Sequence, residues 1–213
     1  RLIRDNNSKT IAYLLSCNMG ELFTLLAAAL MNWPIPLLPI HILWINLVTD
    51  SLPALALGID PAEQGIMKRE PNRDKGLLNK SMVYRITYQG FLIGVLTIIA
   101  FLYGYGMFGM EGSIAQGQTM AFIVLAFSQL IHAYNIHSHK LSVIKSFLKN
   151  KWLILATFTN AIMMLAVLFI PILRDLFKLV ELDLHHWEVV LILMFIPLIF
   201  VEIMKLLKLN GRR

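Results

Sequence analysis

The chain has 213 residues, of which 57% are apolar and 15% charged, and its mean hydropathy is +0.66, figures that exclude an ordinary soluble domain and a disordered chain. A net charge of +6 would suggest nucleic acid in a soluble protein, but here the basic residues cluster at the ends of apolar runs, where they read as topology signals, and no nucleic-acid partner is expected. The single cysteine, Cys17, excludes an intramolecular disulfide framework and a multi-thiolate metal site.

Apolar runs near the roughly 20 residues that cross a bilayer predict an all-α polytopic membrane protein with six transmembrane helices, embedded in a lipid bilayer. The spans are expected over Thr10 to Met31, Leu37 to Leu57, Ile86 to Phe108, Gln118 to His137, Trp152 to Leu173 and Trp187 to Leu207. In the first, Asn18 and Glu21 are three residues apart on one helical face, and Glu21 falls near the midplane at 1.5 Å per residue. The connection Asn32-Trp-Pro-Ile-Pro36 is short enough to demand a tight hairpin, so the first two spans are neighbours.

The second span contains Trp44-Ile-Asn-Leu-Val-Thr-Asp-Ser-Leu-Pro53, which places Asn46, Thr49 and Asp50 at membrane depth. An ionisable group there costs roughly 2.5 to 3.5 kcal/mol on insertion scales and reads as functional. Pro53 cannot donate the hydrogen bond that the Thr49 carbonyl would otherwise receive, so that carbonyl is expected to be free to face an ion; a packing kink is the alternative. The loop from Gly58 to Tyr84 is basic and irregular, and Gln129, near the middle of the fourth span, is a weaker, neutral candidate ligand. His132, His137 and His139 are expected near water at the end of that span, and His41, His185 and His186 at the opposite boundary, with no metal site among them.

With the N terminus in the cytoplasm, 17 of the 19 basic residues fall inside and only Arg174 and Lys178 outside, so both termini are expected to be cytoplasmic. Trp152 and Trp187 suit the interfacial aromatic belt. Carboxylate, amide and hydroxyl donors suit a hard cation such as Ca2+, while Na+ or proton binding, or protonated carboxyls that merely bond neighbouring helices, remain open on ligand type alone.

The segments Asn18-Met-Gly-Glu21, Trp44 to Ala54, Ala56-Leu-Gly-Ile-Asp-Pro61 and Ile66-Met-Lys-Arg-Glu-Pro71 resemble, in order, the P-type calcium-transporting ATPases. The resemblance covers the chain as the C-terminal half of that family's membrane domain, transmembrane helices five to ten. It implies a division into residues 1–57, the ion-site hairpin of helices five and six; 58–85, a cytoplasmic loop; and 86–213, a four-helix bundle of helices seven to ten. It further implies that Asn18 and Glu21 on the fifth helix and Asn46, Thr49 and Asp50 on the sixth are metal ligands, with Asp50 able to bridge two sites.

Gln129 falls where the sarcoplasmic reticulum type pumps have a glutamate and the plasma-membrane calcium pumps, which carry one ion, have glutamine; one Ca2+ per cycle is therefore implied. No Asp-Lys-Thr-Gly motif and no Gly-rich phosphate loop is present. The chain alone is thus expected not to hydrolyse ATP, with catalytic residues, Mg2+ and ATP belonging to actuator, phosphorylation and nucleotide domains outside it, alongside further N-terminal membrane helices. The basic stretch from Lys68 to Lys80 would dock the phosphorylation domain. The competing readings are a passive six-helix cation channel or carrier, a pump for Na+, H+ or Mn2+, and a purely structural membrane anchor.

Overall fold

A computed structural model describes residues 2–61, 80–109, 111–137 and 149–206. Among these the chain is all-helical, with six helical stretches long and apolar enough to cross a membrane, as expected of an integral polytopic membrane protein. The elements are α1 (Leu2–Leu30), α2 (Pro39–Trp44), a π-helical segment (Ile45–Thr49), α3 (Ser51–Gly58), α4 (Lys80–Gly104), α5 (Ile114–His137), α6 (Lys151–Phe169), α7 (Pro171–Leu176) and α8 (Leu184–Leu206). The second span comprises α2, the π segment and α3.

Several boundaries differ from expectation, three of them for reasons visible in the sequence. Helix α1 starts at Leu2, because polar residues such as Asn6 and Lys9 carry no hydropathy signal yet continue the helix. Helix α4 likewise begins at Lys80, inside what reads as loop. The fifth span stops at Phe169: Pro171 holds the preceding Ile170 extended (φ −83°, ψ 116°) and then opens the short helix α7 at its first turn.

The predicted hairpin closes at Asn32, whose φ of 54° lies in the left-handed region, while Trp33 N–H returns to the Ala28 carbonyl at 2.9 Å. Helices α1 and α4 then approach through small residues. A Cβ added at Gly90 would come within 2.8 Å of the Ser16 carbonyl oxygen, and one at Gly94 within 2.9 Å of the Gly20 carbonyl oxygen, so backbone meets backbone there. Helix α5 is buried on nearly every side, whereas α6 and α8 expose Leu155, Phe158, Ile162, Ile192, Phe195 and Ile199, apolar faces suited to lipid.

The buried apolar residues separate into two clusters. One holds Tyr13, Cys17, Ala54, Ala133 and Leu153; the other holds Ile45, Ile93, Phe122, Ala126 and Met164. Along five of the six spans the change from one cluster to the other falls at buried polar residues: Glu21 on α1, Thr49 and Asp50 in the second span, Gln89 on α4, Ser128 and Gln129 on α5, and Asn160 on α6. A polar layer therefore crosses the bundle where the hydrocarbon is deepest, and burial at that depth demands partners or function.

Candidate cation site

The sequence breaks its own helix where the polar groups gather. Over Ile45–Thr49 the backbone winds as a π-helix, with Asp50 N–H bonded to the Ile45 carbonyl at 2.9 Å, and such bulges concentrate at functional sites. Helix α3 resumes at Ser51 with Pro53 in its first turn, where a missing N–H is tolerated. Thr49 and Asp50 are thereby buried, with the Asp50 side chain bonded to α1 and the Thr49 carbonyl to α6, while Asn46 reaches α1 from an exposed position and Leu47 faces outward.

Glu21 is the meeting point. Its side chain accepts from Asn46 Nδ2 at 2.9 Å on Oε2 and from Gln129 Nε2 at 3.2 Å on Oε1, so α1, the π segment and α5 converge on one carboxylate only 6% exposed. Asp50, fully buried, accepts from the Tyr13 hydroxyl at 3.2 Å on Oδ1 and lies within electrostatic range of Glu21. Asp50 Oδ2, Thr49 Oγ1 and Gln129 Oε1 are buried oxygens with no hydrogen-bond partner. Buried acceptors left open in this way are costly unless something binds them.

The placement of the candidate ligands is uneven. Glu21, Asn46 and Gln129 are joined directly, and Thr49 and Asp50 follow in the same kinked segment. Asn18 instead lies on an exposed part of α1, outside the bonded cluster. The Thr49 carbonyl departs from expectation: it does not face open space but accepts from Asn160 Nδ2 at 2.8 Å. Pro53 does free it, and a residue on α6 takes it up.

Sequence reasoning missed Tyr13 and Asn160, although an amide inside the apolar run of α6 was a usable signal. It also misplaced His132, which is buried rather than near water and sits 2.7 Å from Ser16 Oγ with its ring stacked on Tyr13. His41, read as a boundary residue, is fully buried, bonded to the Phe177 carbonyl at 2.8 Å and to Leu38 N–H at 3.3 Å. His139 and the stretch from Lys68 to Asn79 lie outside the described residues.

A second polar knot was also missed. Asp60, just beyond α3 and 2% exposed, accepts from Lys9 Nζ at 2.7 Å and His137 Nδ1 at 2.9 Å on Oδ2, and from Asn150 Nδ2 at 3.0 Å on Oδ1. Its carbonyl accepts from Asn6 Nδ2 at 2.9 Å. Burial alone would push this carboxyl up, but the hydrogen bonds and charges of His137 and Lys9 outweigh it and hold Asp60 below the ordinary aspartate value. The knot ties α1, α5 and the residue before α6 to the end of the second span.

Among the described residues no three His, Cys, Asp or Glu side chains stand together. A cation at the polar layer would therefore rely on two carboxylates plus neutral amide and hydroxyl oxygens, a donor set for a hard ion. Six helices long and apolar enough to cross a membrane, with carboxylates buried on two neighbouring spans among unpartnered oxygens, mark the class as the membrane part of an ion transporter.

The comparisons agree. The family described as cation transporting ATPase, C-terminus, matches residues 34–207, and the chain belongs to that family. It is 41% identical over 224 residues to calcium-transporting ATPase 1 of Bacillus cereus, covering 99% of this chain and 25% of that protein. It is 39% identical over 198 residues to the calcium-transporting ATPase of Bacillus subtilis (92% and 22%), and 28% identical over 244 residues to the endoplasmic reticulum calcium ATPase srcA of Aspergillus fumigatus (100% and 25%). The chain spans about a quarter of the length of these curated relatives.

Proposed function

We propose that this chain is the ion-binding transport half of an ATP-driven calcium export pump that carries one Ca2+ per cycle. The observation that carries the reading is the burial of two carboxylates, Glu21 and Asp50, on adjacent helices beside a π-helical break, with unpartnered oxygens around them. A divalent ion neutralises both charges, whereas a monovalent ion leaves one uncompensated in a medium where that is expensive. The printed names of the relatives favour calcium over Na+, H+ or Mn2+.

The ligands are Glu21, Asn46, Thr49 and Asp50, with Gln129 as a weaker one and Asn18 added when its exposed face is covered by the pump's other membrane helices. Asn46 and Gln129 present N–H groups to Glu21 here; turning either amide over would offer an oxygen to an ion instead. Because Gln129 is neutral, it adds no third charge, which supports a single ion. The hairpin of residues 1–57 forms the site, 58–85 connects it in the cytoplasm, and 86–213 is the supporting bundle.

Both termini face the cytoplasm, and the pump sits in the cell membrane. Phosphorylation occurs on domains of the same pump outside this chain, which use ATP and Mg2+; the start of α1 and the loop after α3 carry that event to the carboxylates, exposing them alternately to each side. The test is ATP-dependent uptake of radioactive calcium into inverted vesicles by the complete pump. Uptake lost in Asp50→Asn supports the reading; calcium flux that needs no ATP would indicate a channel or carrier.

A further inference from the structure

The amide of Asn160 sits where the second span loses its own hydrogen bonding. In a regular helix the Thr49 carbonyl would accept from the N–H of residue 53, but that residue is proline, and the Ala54 N–H goes instead to the Asp50 carbonyl at 3.1 Å. A bare carbonyl at membrane depth is costly, and Asn160 Nδ2 reaches it from α6 at 2.8 Å. The orientation of this amide is fixed by chemistry, because only its NH2 end can face a carbonyl oxygen. Asn160 is fully buried, and among the described residues its Oδ1 has no partner and its side chain bonds only the Thr49 carbonyl.

We propose that Asn160 is a positioning residue of the cation site: by holding the Thr49 carbonyl away from the ion, it fixes the kinked segment so that the Thr49 hydroxyl and the second Asp50 oxygen stay open for ligation. The inference rests on the pump reading above and deepens it. Three unpartnered buried oxygens, Thr49 Oγ1, Asp50 Oδ2 and Asn160 Oδ1, flank this single bond, so the bond decides which oxygen in the segment is spent and which are left. Removing the donor frees the carbonyl to rotate and lets the segment rewind, moving Thr49 and Asp50 together.

The experiment measures calcium-dependent ATP hydrolysis by the complete pump over a range of calcium concentrations, for wild type, Asn160→Leu and Asn160→Asp. Asn160→Leu is expected to raise the half-activating calcium concentration about tenfold while changing the maximal rate less than twofold, since a lost hydrogen bond to a buried carbonyl is of that order. Asn160→Asp retains a donor only while its carboxyl is protonated. Relative to wild type at the same pH, its half-activating concentration should approach unity as pH falls and rise toward that of Asn160→Leu as pH rises. A wild-type affinity held at every pH by Asn160→Asp, together with a raised value in Asn160→Leu, would mean a donor kept throughout and supports the proposal.

Half-activating concentrations unchanged in Asn160→Leu, or Asn160→Asp indistinguishable from Asn160→Leu at every pH, overturn it. So does a fall in maximal rate alone. If Asn160→Leu fails to accumulate in membranes, Asn160→Asp decides: an affinity that falls below wild type as pH rises supports the proposal, and wild-type affinity at every pH overturns it. Wild-type protein with no calcium-dependent activity would overturn the pump reading and this inference together, whereas a calcium-activated wild type with unaffected variants sinks only the role of Asn160.

Discussion

Asn46 donates through one amide nitrogen both to Glu21 Oε2 at 2.9 Å and to the Ile42 carbonyl at 3.0 Å, so a single side chain joins the π segment to α1. The bond matters because Glu21 and Asp50 lie on separate helices whose relative position sets the size of any shared ion cavity. Removing the Asn46 amide leaves a buried carboxylate short of a donor, a loss of about 1.5 to 3 kcal/mol for a bond to a charged group. Because Asn46→Ala also removes the amide oxygen proposed to ligate the ion, it should weaken calcium activation by roughly tenfold or more, measured as the calcium concentration that half-activates phosphorylation from ATP. An unchanged value would detach Asn46 from the site.

Gln129 is the neutral corner of the cluster. Gln129→Glu adds a third carboxylate 3.2 Å from Glu21 in wild-type geometry and is expected to strengthen binding or create a second ion site. Equilibrium binding of radioactive calcium would show the stoichiometry rising from one toward two. An unchanged stoichiometry would count against the assignment of Gln129 to the ion cavity.

Asp60 offers a pH-dependent test away from the membrane interior. Its folded-state pKa is depressed, so the stabilisation it contributes is fully present above the unfolded value, near 3.9, and is lost as pH falls through the folded one. Asp60→Asn should lower thermal stability in detergent at pH 7, because it removes the carboxylate charge that Lys9 and His137 share. The gap between variant and wild type should narrow as pH falls below about 4. A gap constant from pH 7 to 3 would mean that the carboxylate charge contributes nothing.

Close approach of α1 and α4 predicts a steric effect. Gly94→Val places a branched side chain against Phe23 and the Gly20 carbonyl and should cost about 1 to 3 kcal/mol by overpacking. Gly58→Ala, where an added Cβ meets nothing closer than Thr10 Oγ1 at 3.8 Å, is the matched control and should melt near wild type. Equal melting temperatures for the two variants would contradict the tight α1–α4 contact.

The fold was legible because hydrocarbon thickness is a length that apolar runs must match, and the six spans follow from it. Glu21, Asp50 and Gln129 were legible for the complementary reason: a polar side chain in the middle of such a run stands out. What could not be read depends on partners far apart in sequence. Asp60 meets Lys9, His137 and Asn150 across 51, 77 and 90 residues, and no spacing rule links them. The Asn160 bond to Thr49 spans 111 residues, so Pro53 announced a freed carbonyl without announcing what takes it. The break before α7 was hidden because hydropathy continues through Pro171 while backbone geometry does not.

Glu21 and Asp50 are proposed to hold one ion between them. Equilibrium binding of radioactive calcium to the complete purified pump, in wild type, Glu21→Gln and Asp50→Asn, tests it most directly. The account predicts one calcium per wild-type molecule and none, at the same concentration, in either variant. Undiminished calcium binding in either variant would contradict it.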